Sequence, residues 1–254
     1  MRRFSESVRG PTADTIDLHC HLLPGIDDGA RDLADAIEMA RQAEADGIAA
    51  ICATPHIRAD HRVRIDELPG RRAELGAALL QAGCNTRVMP GGEVAADMLD
   101  ALDGPELASV TLGRSGTWIL LEPAPGPLDE RMDKAVDALR IRGFRALLAH
   151  PERHPAPDLV DRLGRLVDRG ALVQVTAAYF TDESTRPAML PLARAGLIHV
   201  LGSDAHSSRV GRRVELAPAL EILATIDPLA RHVEWVGHIA PRGIVCGGDV
   251  VSPF

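Results

Sequence analysis

Short apolar runs alternate with amphipathic segments along most of the chain, and this alternation limits the possible folds more than any other feature. The runs show little in–out alternation of polar and apolar residues, which is typical of strands covered on both faces. They lie at residues 15–18, 48–53, 87–91, 118–121, 145–149, 172–176 and 197–201. A strand followed by a helix, repeated about seven times, predicts an α/β protein with a parallel sheet, either open or closed into a barrel.

Three of the intervening segments place their apolar residues on one helical face and are followed by a glycine, the usual exit from a helix. The three sets are Leu33, Ile37, Ala40 and Ala43 before Gly47; Met132, Val136 and Leu139 before Gly143; and Leu159, Leu163, Leu166 and Val167 before Gly170. These patterns predict amphipathic helices that pack against the sheet.

The composition suits one globular domain, since 46% of the 254 residues are hydrophobic and 25% are charged. We expect residues 1–13 to be an N-terminal extension and residues 14–254 to be the domain. The four cysteines lie far apart without a CxxC pair, which favours a reducing compartment over a disulfide scaffold. A net charge of −8 argues against nucleic acid as a partner.

Targeting and membrane segments are not expected from the sequence. The first 14 residues include basic residues but have no apolar core like that of a signal peptide. No apolar run approaches the roughly 20 residues that a transmembrane helix needs. These features predict a cytoplasmic protein with no transmembrane segment.

Residues capable of metal chemistry fall at one kind of position, the carboxyl ends of the predicted strands. In chain order they are His19 and His21, His56, Glu93, Glu122, His150, and finally Asp204 with His206. In a parallel α/β barrel all of these strand ends open on the same face. Residues far apart in the sequence are therefore predicted to converge on one pocket.

The types of residue indicate a metal cluster. His19 and His21 are two residues apart, so on an extended chain they point the same way and Cys20 turns away as a small buried residue. Five histidines and four carboxylates exceed the ligands of one ion, which implies about two or three divalent ions. The nine candidates are His19, His21, Asp28, His56, Glu93, Glu122, His150, Asp204 and His206.

Two of the selected residues also have ordinary explanations that the sequence leaves open. Asp28, in the DDG sequence at 27–29, is a possible cap for the helix that follows. Arg153 is a possible partner for Glu152 on a surface loop. The other histidines, at positions 61, 154, 199, 232 and 238, follow no comparable pattern and are treated as ordinary.

Six segments between about residues 14 and 210 resemble motifs of the polymerase and histidinol phosphatase superfamily. They are DLHCHLLPGIDDG (17–29), ATPH (53–56), GGEV (91–94), LLEP (120–123), AHPER (149–153) and GSDAH (202–206). Within that superfamily the sequence is most similar to the CpsB/YwqE-type bacterial protein-tyrosine phosphatases of capsule and exopolysaccharide systems. The resemblance implies a distorted seven-stranded (β/α) TIM-like barrel that holds three ions, often manganese, with iron or zinc as alternatives.

Carried over by position, the family's metal ligands fall on the nine residues already selected. The implied ligands are His19, His21, Glu93 and Asp204 for the first ion, Asp28, His56 and His206 for the second, and Glu93, Glu122 and His150 for the third. The family's two arginines fall on Arg153 and on Arg209 or Arg212, because SSRVGRR departs from the usual spacing.

The resemblance also implies a reaction and a partner. Bound metals lower the pKa of water to about 7, so a phosphotyrosine ester could be hydrolysed without a covalent phosphoenzyme. The two arginines would neutralise the developing charge. The implied partner is the tyrosine-rich tail of a membrane-bound, polysaccharide-associated kinase at the cytoplasmic face. The oligomeric state stays open, and LLEPAPG in place of the commoner LIEFP leaves the substrate groove undefined.

Three other functions are compatible with parts of the sequence. A small-molecule phosphatase of the same superfamily, such as one acting on histidinol phosphate, would use the same ligands. An amidohydrolase also begins with HxH, but it usually has a lysine after the fourth strand and a histidine after the sixth, where this chain has Glu122 and then Gln174 and Thr176. A non-catalytic binding module is disfavoured by the complete ligand set.

Cys52 and Arg58 form a C-x5-R pattern, which is also found in the phosphate loop of thiol-based phosphatases. Such an enzyme needs a low-pKa cysteine in a loop whose backbone N–H groups surround the phosphate. Here Cys52 lies inside the apolar run IAAICAT, and Pro55 in the following loop has no N–H. The sequence therefore predicts that the pattern is accidental and that Cys52 is a strand residue.

Overall fold

The structure, a computed structural model, describes residues 15–61 and 63–254, so the predicted N-terminal extension lies outside the described residues. The strands are β1 Thr15–Cys20, β2 Ile48–Ala53, β3 His56–Ile57, β4 Arg87–Met89, β5 Glu93–Ala95, β6 Trp118–Glu122, β7 Arg145–Leu148, β8 Leu172–Thr176 and β9 Val200–Gly202. The helices are α1 Leu33–Ala45, α2 Leu68–Gln81, α3 Gly104–Ser109, α4 Glu130–Ile141, α5 Leu159–Asp168, α6 Ala178–Thr181, α7 Arg186–Arg194, α8 Ala217–Leu223 and α9 Ala240–Val245. Among these described helices, none has the length and hydropathy needed to cross a bilayer.

The paired strands are parallel and form two sheets, in the orders β1-β2-β4 and β3-β5-β6-β7-β8-β9. A single parallel bridge between Cys20 and Ala205 joins the end of β1 to the segment after β9. The Asp204 N–H also donates to the His19 carbonyl at 2.8 Å. The fold is therefore mixed α/β with a curled parallel sheet, and the predicted closed seven-stranded barrel is not confirmed.

The sequence does not predict β3 and β5, which continue β2 and β4 after short interruptions. Pro55 and Pro90 lie in these interruptions, and a proline has no N–H to donate to a strand ladder. Gly91 and Gly92 follow Pro90, and a Cβ added at either glycine would lie 2.9 Å from a neighbouring side chain. The glycines therefore let the chain pass close to its neighbours as it enters β5.

The sheet is covered on both faces, which explains why its strands lack in–out alternation. Trp118 and Leu120 of β6 pack with Ile244 of α9 in the core on the inner side of the curl. Ile119 and Leu121, the alternate residues of β6, belong to the larger core that contains the surrounding helices. Alternate side chains of β6 therefore pack into different cores.

The inner face of the sheet changes from apolar to polar along the strands. In β6 the inward row reads Trp118, Leu120 and then Glu122. The C-terminal segment covers the apolar end, since Trp118 Nε1 donates to the Gly248 carbonyl at 3.2 Å. The polar side chains are therefore collected at the opposite end, where the carboxyl ends of the strands lie.

Most of the predicted helix faces are buried as expected. Met132, Val136 and Leu139 are all buried in α4. Leu33 is an exception, because it begins α1 directly after the capping residue Asp32 and is 45% exposed. The strand predicted at 197–201 is observed only at its end, as β9.

We expect Gly113→Ala to destabilise the protein more than Gly116→Ala. Both glycines have positive φ, 67° and 74°, so alanine costs about 1–2 kcal/mol at either position. At Gly113 the new Cβ would also lie 2.5 Å from the Val245 carbonyl oxygen of α9, whereas Gly116 has open space. Overpacking adds about 1–3 kcal/mol, so Gly113→Ala should lose about 2–5 kcal/mol in urea unfolding. Equal losses for the two variants would contradict the packing of α9 against this turn.

Candidate metal centre

All nine predicted ligands lie together at the carboxyl ends of the strands. Each belongs to at least one of four groups whose ligand atoms lie within 4.8 Å of one another. The groups are His21, Asp28, His56 and His206; His19, His21 and Asp204; His19, Glu93 and His150; and His56, Glu93 and Glu122. Four residues, His19, His21, His56 and Glu93, each belong to two of the groups, so the groups form one continuous site.

Glu93 occupies the middle of this site and is completely buried. Its Oε2 lies 3.3 Å from His19 Nε2, 3.2 Å from His21 Nε2 and 2.9 Å from His56 Nδ1. Its Oε1 lies 2.7 Å from His150 Nε2. Burial alone would raise the pKa of Glu93, but the neighbouring His19 charge and the hydrogen bonds from the imidazoles hold that pKa well below its usual range.

The hydrogen bonds of His19 and His21 leave both Nε2 atoms facing the site. His19 Nδ1 lies 3.0 Å from Gln174 Oε1, and His21 Nδ1 lies 2.9 Å from Asp27 Oδ2. Because both partners accept, each Nδ1 donates to its partner, and this turns each Nε2 toward the site. The two Nε2 atoms are 3.3 Å apart. Two imidazole nitrogens this close, both facing the buried carboxylate of Glu93, suit a shared cation, so the residues present fit a metal centre.

Protons and metals compete for these nitrogens. Burial alone would lower the pKa of His21, but hydrogen bonds to Asp204, Asp27 and Glu93 raise that pKa well above its usual value. At His206, burial together with the nearby His21 charge lowers the pKa to about 4. Imidazoles bind metal only when neutral, so His206 is ready to bind at neutral pH, whereas His21 must first release a proton.

Asp28 forms the open side of the cluster. Its Oδ1 lies 3.4 Å from His56 Nε2 and 3.5 Å from His206 Nε2, and its side chain is 57% exposed. The alternative role, a cap for α1, belongs instead to Asp32, whose side chain accepts from Asp35 N–H. The carboxylate of Asp28 is therefore available to the site.

Asp204 connects the cluster to two arginines. Its Oδ1 lies 3.4 Å from His19 Nε2, whereas its Oδ2 accepts from Arg153 and lies 3.2 Å from Arg212 Nη2. Asp204 and His150 both have positive φ, 47° and 32°. Residues other than glycine adopt this conformation at a cost of about 1–3 kcal/mol, and such strain is concentrated at functional sites.

An open cavity of about 520 Å³ lies over the cluster. Its polar lining comes from ligand residues and from three arginines, while Val210 and Gly211 supply the rest. The lining residues are Asp28, His56, Arg58, Glu122, His150, Arg153, His206, Val210, Gly211 and Arg212. The cavity volume is that of a small-ligand site, and the arrangement suits an anion held above metal ions.

The comparisons with known proteins agree with this geometry. The family model for capsular polysaccharide synthesis, CpsB/CapC, matches residues 15–226. The chain belongs to the CpsB/CapC family. It is 33% identical over 220 residues to the tyrosine-protein phosphatase YwqE of Bacillus subtilis, covering 82% of this chain and 83% of YwqE. It is 27% identical to a putative tyrosine-protein phosphatase, CapC of Staphylococcus aureus, covering 76% and 77%.

Solved structures place this CpsB/CapC member in the same fold as its relatives. A structure from work on YwqE of Bacillus subtilis and CpsB of Streptococcus pneumoniae, described as unique metal-dependent tyrosine phosphatases, has a TM-score of 0.77 and 27% identity, covering 93% of this chain and 96% of that one. A dihydropyrimidinase from Brevibacillus agri has a TM-score of 0.57 and 10% identity, covering 94% and 73%. The second likeness concerns the fold alone.

The structure separates the two candidates for the second arginine of this family member. Arg209 is exposed, and its backbone N–H donates to Ser207 Oγ at 3.1 Å. Arg212 lines the cavity, and its Nε donates to the Asp204 carbonyl at 2.7 Å. The residue at the cavity is therefore Arg212, because the loop turns between the two positions at Gly211, which has a φ of 77°. Arg153 does not depend on Glu152, since it donates to Thr176 Oγ1 at 2.9 Å and to Asp204.

Sequence reasoning does not identify three residues that shape the site. Asp27 orients His21 and also accepts from the His56 backbone N–H at 3.0 Å. Gln174 orients His19 and accepts from the His150 N–H at 3.3 Å. Arg58 lines the cavity. The only sequence signals are the doubled aspartate in DDG and a polar residue inside the apolar strand β8, and neither specifies a partner.

Cys52 has no access to this site. It is completely buried in the inner apolar core, and burial raises the pKa of its thiol to about 12. Arg58 donates instead to Glu122 Oε1 at 2.9 Å. The prediction that Cys52 is a strand residue is therefore confirmed.

We expect Asp27→Asn to weaken metal binding about 10- to 100-fold, as is typical when a carboxylate that orients a metal-binding histidine is lost. Asp27 accepts from His21 and His56 on Oδ2 and from the Gly29 N–H on Oδ1, and an asparagine amide has only one oxygen to accept with. Competition against a fluorescent chelator measures the effect. Asp32→Asn is the control, because Asp32 caps α1 instead of orienting a ligand. Equal metal affinity for the Asp27 variant and the wild type would contradict this role.

Proposed function

We propose that this chain is a metal-dependent protein-tyrosine phosphatase that hydrolyses phosphotyrosine in capsule or exopolysaccharide production. The observation that carries the proposal is the nine-residue ligand cluster beneath an open, arginine-lined cavity. Membership of the CpsB/CapC family supports it. So do the names of the relatives YwqE and CapC and the description of the matching solved structure as a metal-dependent tyrosine phosphatase.

The proposed cofactors are about two or three divalent ions, with manganese favoured and iron or zinc as alternatives. We assign His19, His21, Glu93 and Asp204 to one ion, Asp28, His56 and His206 to another, and Glu93, Glu122 and His150 to a third. Close groups of ligand atoms support the first two assignments, and the third set combines ligands from two groups that share Glu93. When bound, the ions supply Lewis acidity that acidifies water and withdraws charge from the phosphoryl oxygens.

Arg153 and Arg212 are the proposed phosphate-binding residues. Both line the cavity, and both are held by the carboxylate of Asp204. Guanidinium groups match phosphate oxygens geometrically and neutralise charge that builds up in the transition state. Asp204 acts as their anchor, so that the cations face the cavity before substrate arrives.

The chemistry of the leaving group favours an aryl ester. The phenol of tyrosine has a pKa of about 10, so phenolate leaves more easily than the alkoxide of a serine or of histidinol. The small-molecule alternative, a histidinol-phosphatase-like activity, is not favoured, because the named relatives are tyrosine-protein phosphatases.

We further propose that the two sheets are parts of one distorted seven-stranded barrel in a single domain of residues 14–254. Only residues 54–55 separate β2 from β3, and residues 90–92 separate β4 from β5. Counting each pair as one interrupted strand leaves seven. The bridge between Cys20 and Ala205 supports closure between β1 and β9.

The proposed partner is the phosphotyrosine-bearing tail of a polysaccharide-associated tyrosine kinase, met in the cytoplasm. The family description, capsular polysaccharide synthesis, supports the setting. The four free cysteines are typical of a reducing compartment.

A metal-dependence assay on phosphopeptides tests this function. Protein prepared without chelator should contain about two or three divalent ions and hydrolyse a phosphotyrosine peptide faster than its phosphoserine analogue. Chelation should abolish the activity and lower the melting temperature, because metal binds the folded form, and manganese should restore both. Activity that survives chelation, or a preference for histidinol phosphate, would overturn the proposal.

Arginine variants test the phosphate-binding role. Arg153→Ala and Arg212→Ala should each keep their metal but lower kcat/KM on aryl phosphates by about 100-fold or more, as expected for lost transition-state donors. Arg209→Ala is the matched control on the same loop and should resemble the wild type. If the Arg209 variant were impaired and the Arg212 variant were not, the assignment would be reversed.

A pair of substitutions separates the metal mechanism from a thiol mechanism. Cys52→Ser should retain most of the activity, because Cys52 lies in the apolar core. His56→Ala should lose metal and activity, because His56 contacts Glu93 in the cluster. Loss of turnover in a folded, metal-loaded Cys52→Ser protein would argue for a cysteinyl-phosphate intermediate instead.

A further inference from the structure

A third arginine, Arg58, lines the same cavity as Arg153 and Arg212. It follows β3 directly and donates from Nη1 to Glu122 Oε1 at 2.9 Å. Glu122 ends β6, whereas the anchor of the other two arginines, Asp204, follows β9, and β7 and β8 lie between them. The cavity therefore carries cationic groups on two separate sides.

Arg58 retains hydrogen-bonding capacity toward a ligand. Its Nε and Nη2 donate to the two carboxylate oxygens of Asp60, both at 3.1 Å, and its Nη1 donates to Glu122. These contacts use three of the five N–H donors of a guanidinium group, which leaves two. Asp60 is 62% exposed on its loop, so it can also be displaced by a competing anion.

The proposed phosphate chemistry leaves this third cation without a role. Arg153 and Arg212 already share one anchor and suffice for one phosphate group, whereas Arg58 is held by a different carboxylate, that of Glu122. A cavity of about 520 Å³ has room for a phosphoaryl group and a second side chain. A substrate with a second anionic group would pair with Arg58 while its phosphate pairs with the other two arginines.

We propose that Arg58 is a specificity-determining residue that binds an acidic side chain next to the phosphotyrosine of the substrate. The inference rests on the proposed function and adds a class of peptide to it, namely phosphotyrosine flanked by glutamate or aspartate. The pairing is a charge-assisted hydrogen bond, which is stronger than a neutral one and selects against lysine at the same position.

Two phosphotyrosine peptides, identical except for glutamate or glutamine on both sides of the phosphotyrosine, test the proposal with the metal-loaded enzyme. The wild type should show a kcat/KM about tenfold higher for the glutamate peptide, the worth of one charged hydrogen bond. The ratio should fall to about one in Arg58→Gln and below one in Arg58→Glu. Arg64→Gln is the matched control, because Arg64 pairs with Asp66 as Arg58 pairs with Asp60 but lies outside this cavity.

The outcomes separate this inference from the function on which it rests. Equal kcat/KM for the two peptides in the wild type would overturn the role of Arg58 while leaving phosphotyrosine hydrolysis intact. No hydrolysis of either peptide would overturn the proposed function itself. If Arg58→Gln lowered kcat/KM for both peptides by the same factor and also lost metal, Arg58 would only support Glu122. The specificity role would then be wrong.

Discussion

The burial of Glu93 among four imidazoles is the constraint on which the rest of the site depends. Its two oxygens lie between 2.7 and 3.3 Å from histidine nitrogens in a place that water does not reach. Burying so many ionisable groups costs several kcal/mol for each charge unless cations compensate. Gly91 and Gly92 let the chain approach its neighbours closely enough to put this carboxylate at the centre. The local backbone is thus built around a cluster that is stable only when it is neutralised.

A second layer of contacts fixes the positions of the ligand cluster and the arginines relative to each other. Asp204 uses one oxygen for the imidazoles and the other for Arg153 and Arg212, so one carboxylate ties the ligands to the proposed phosphate-binding groups. The loop that carries Arg212 is itself fastened to α1, because the Ser208 N–H donates to Asp35 at 2.9 Å and the Ser208 carbonyl accepts from Gln42 at 2.9 Å. A helix on the outer face therefore positions a side chain in the cavity.

The strands covered on both faces are the part of the fold that periodicity predicts best. The strands predicted at 48–53 and 172–176 agree at both ends with the structure. β3 and β5 escape prediction, since two or three residues carry no periodicity and their pairing depends on distant strands. Periodicity also fails for Leu33. It matches the apolar face predicted for α1, but its place in the first turn leaves it exposed.

The sequence by itself determined the chemistry of the site: eight of the nine ligand side chains follow the carboxyl ends of strands, which the parallel topology must bring together. Only the tertiary structure decided which neighbouring residues orient the ligands and which line the cavity. Asp27 orients His21 while Asp28 faces the open side, and Arg212 lines the cavity while Arg209 faces solvent. Beyond the end of a strand, the direction of a side chain follows from the dihedral angles of its loop. In the loop that carries Arg212, contacts with Asp35 and Gln42, more than a hundred positions away, hold those angles.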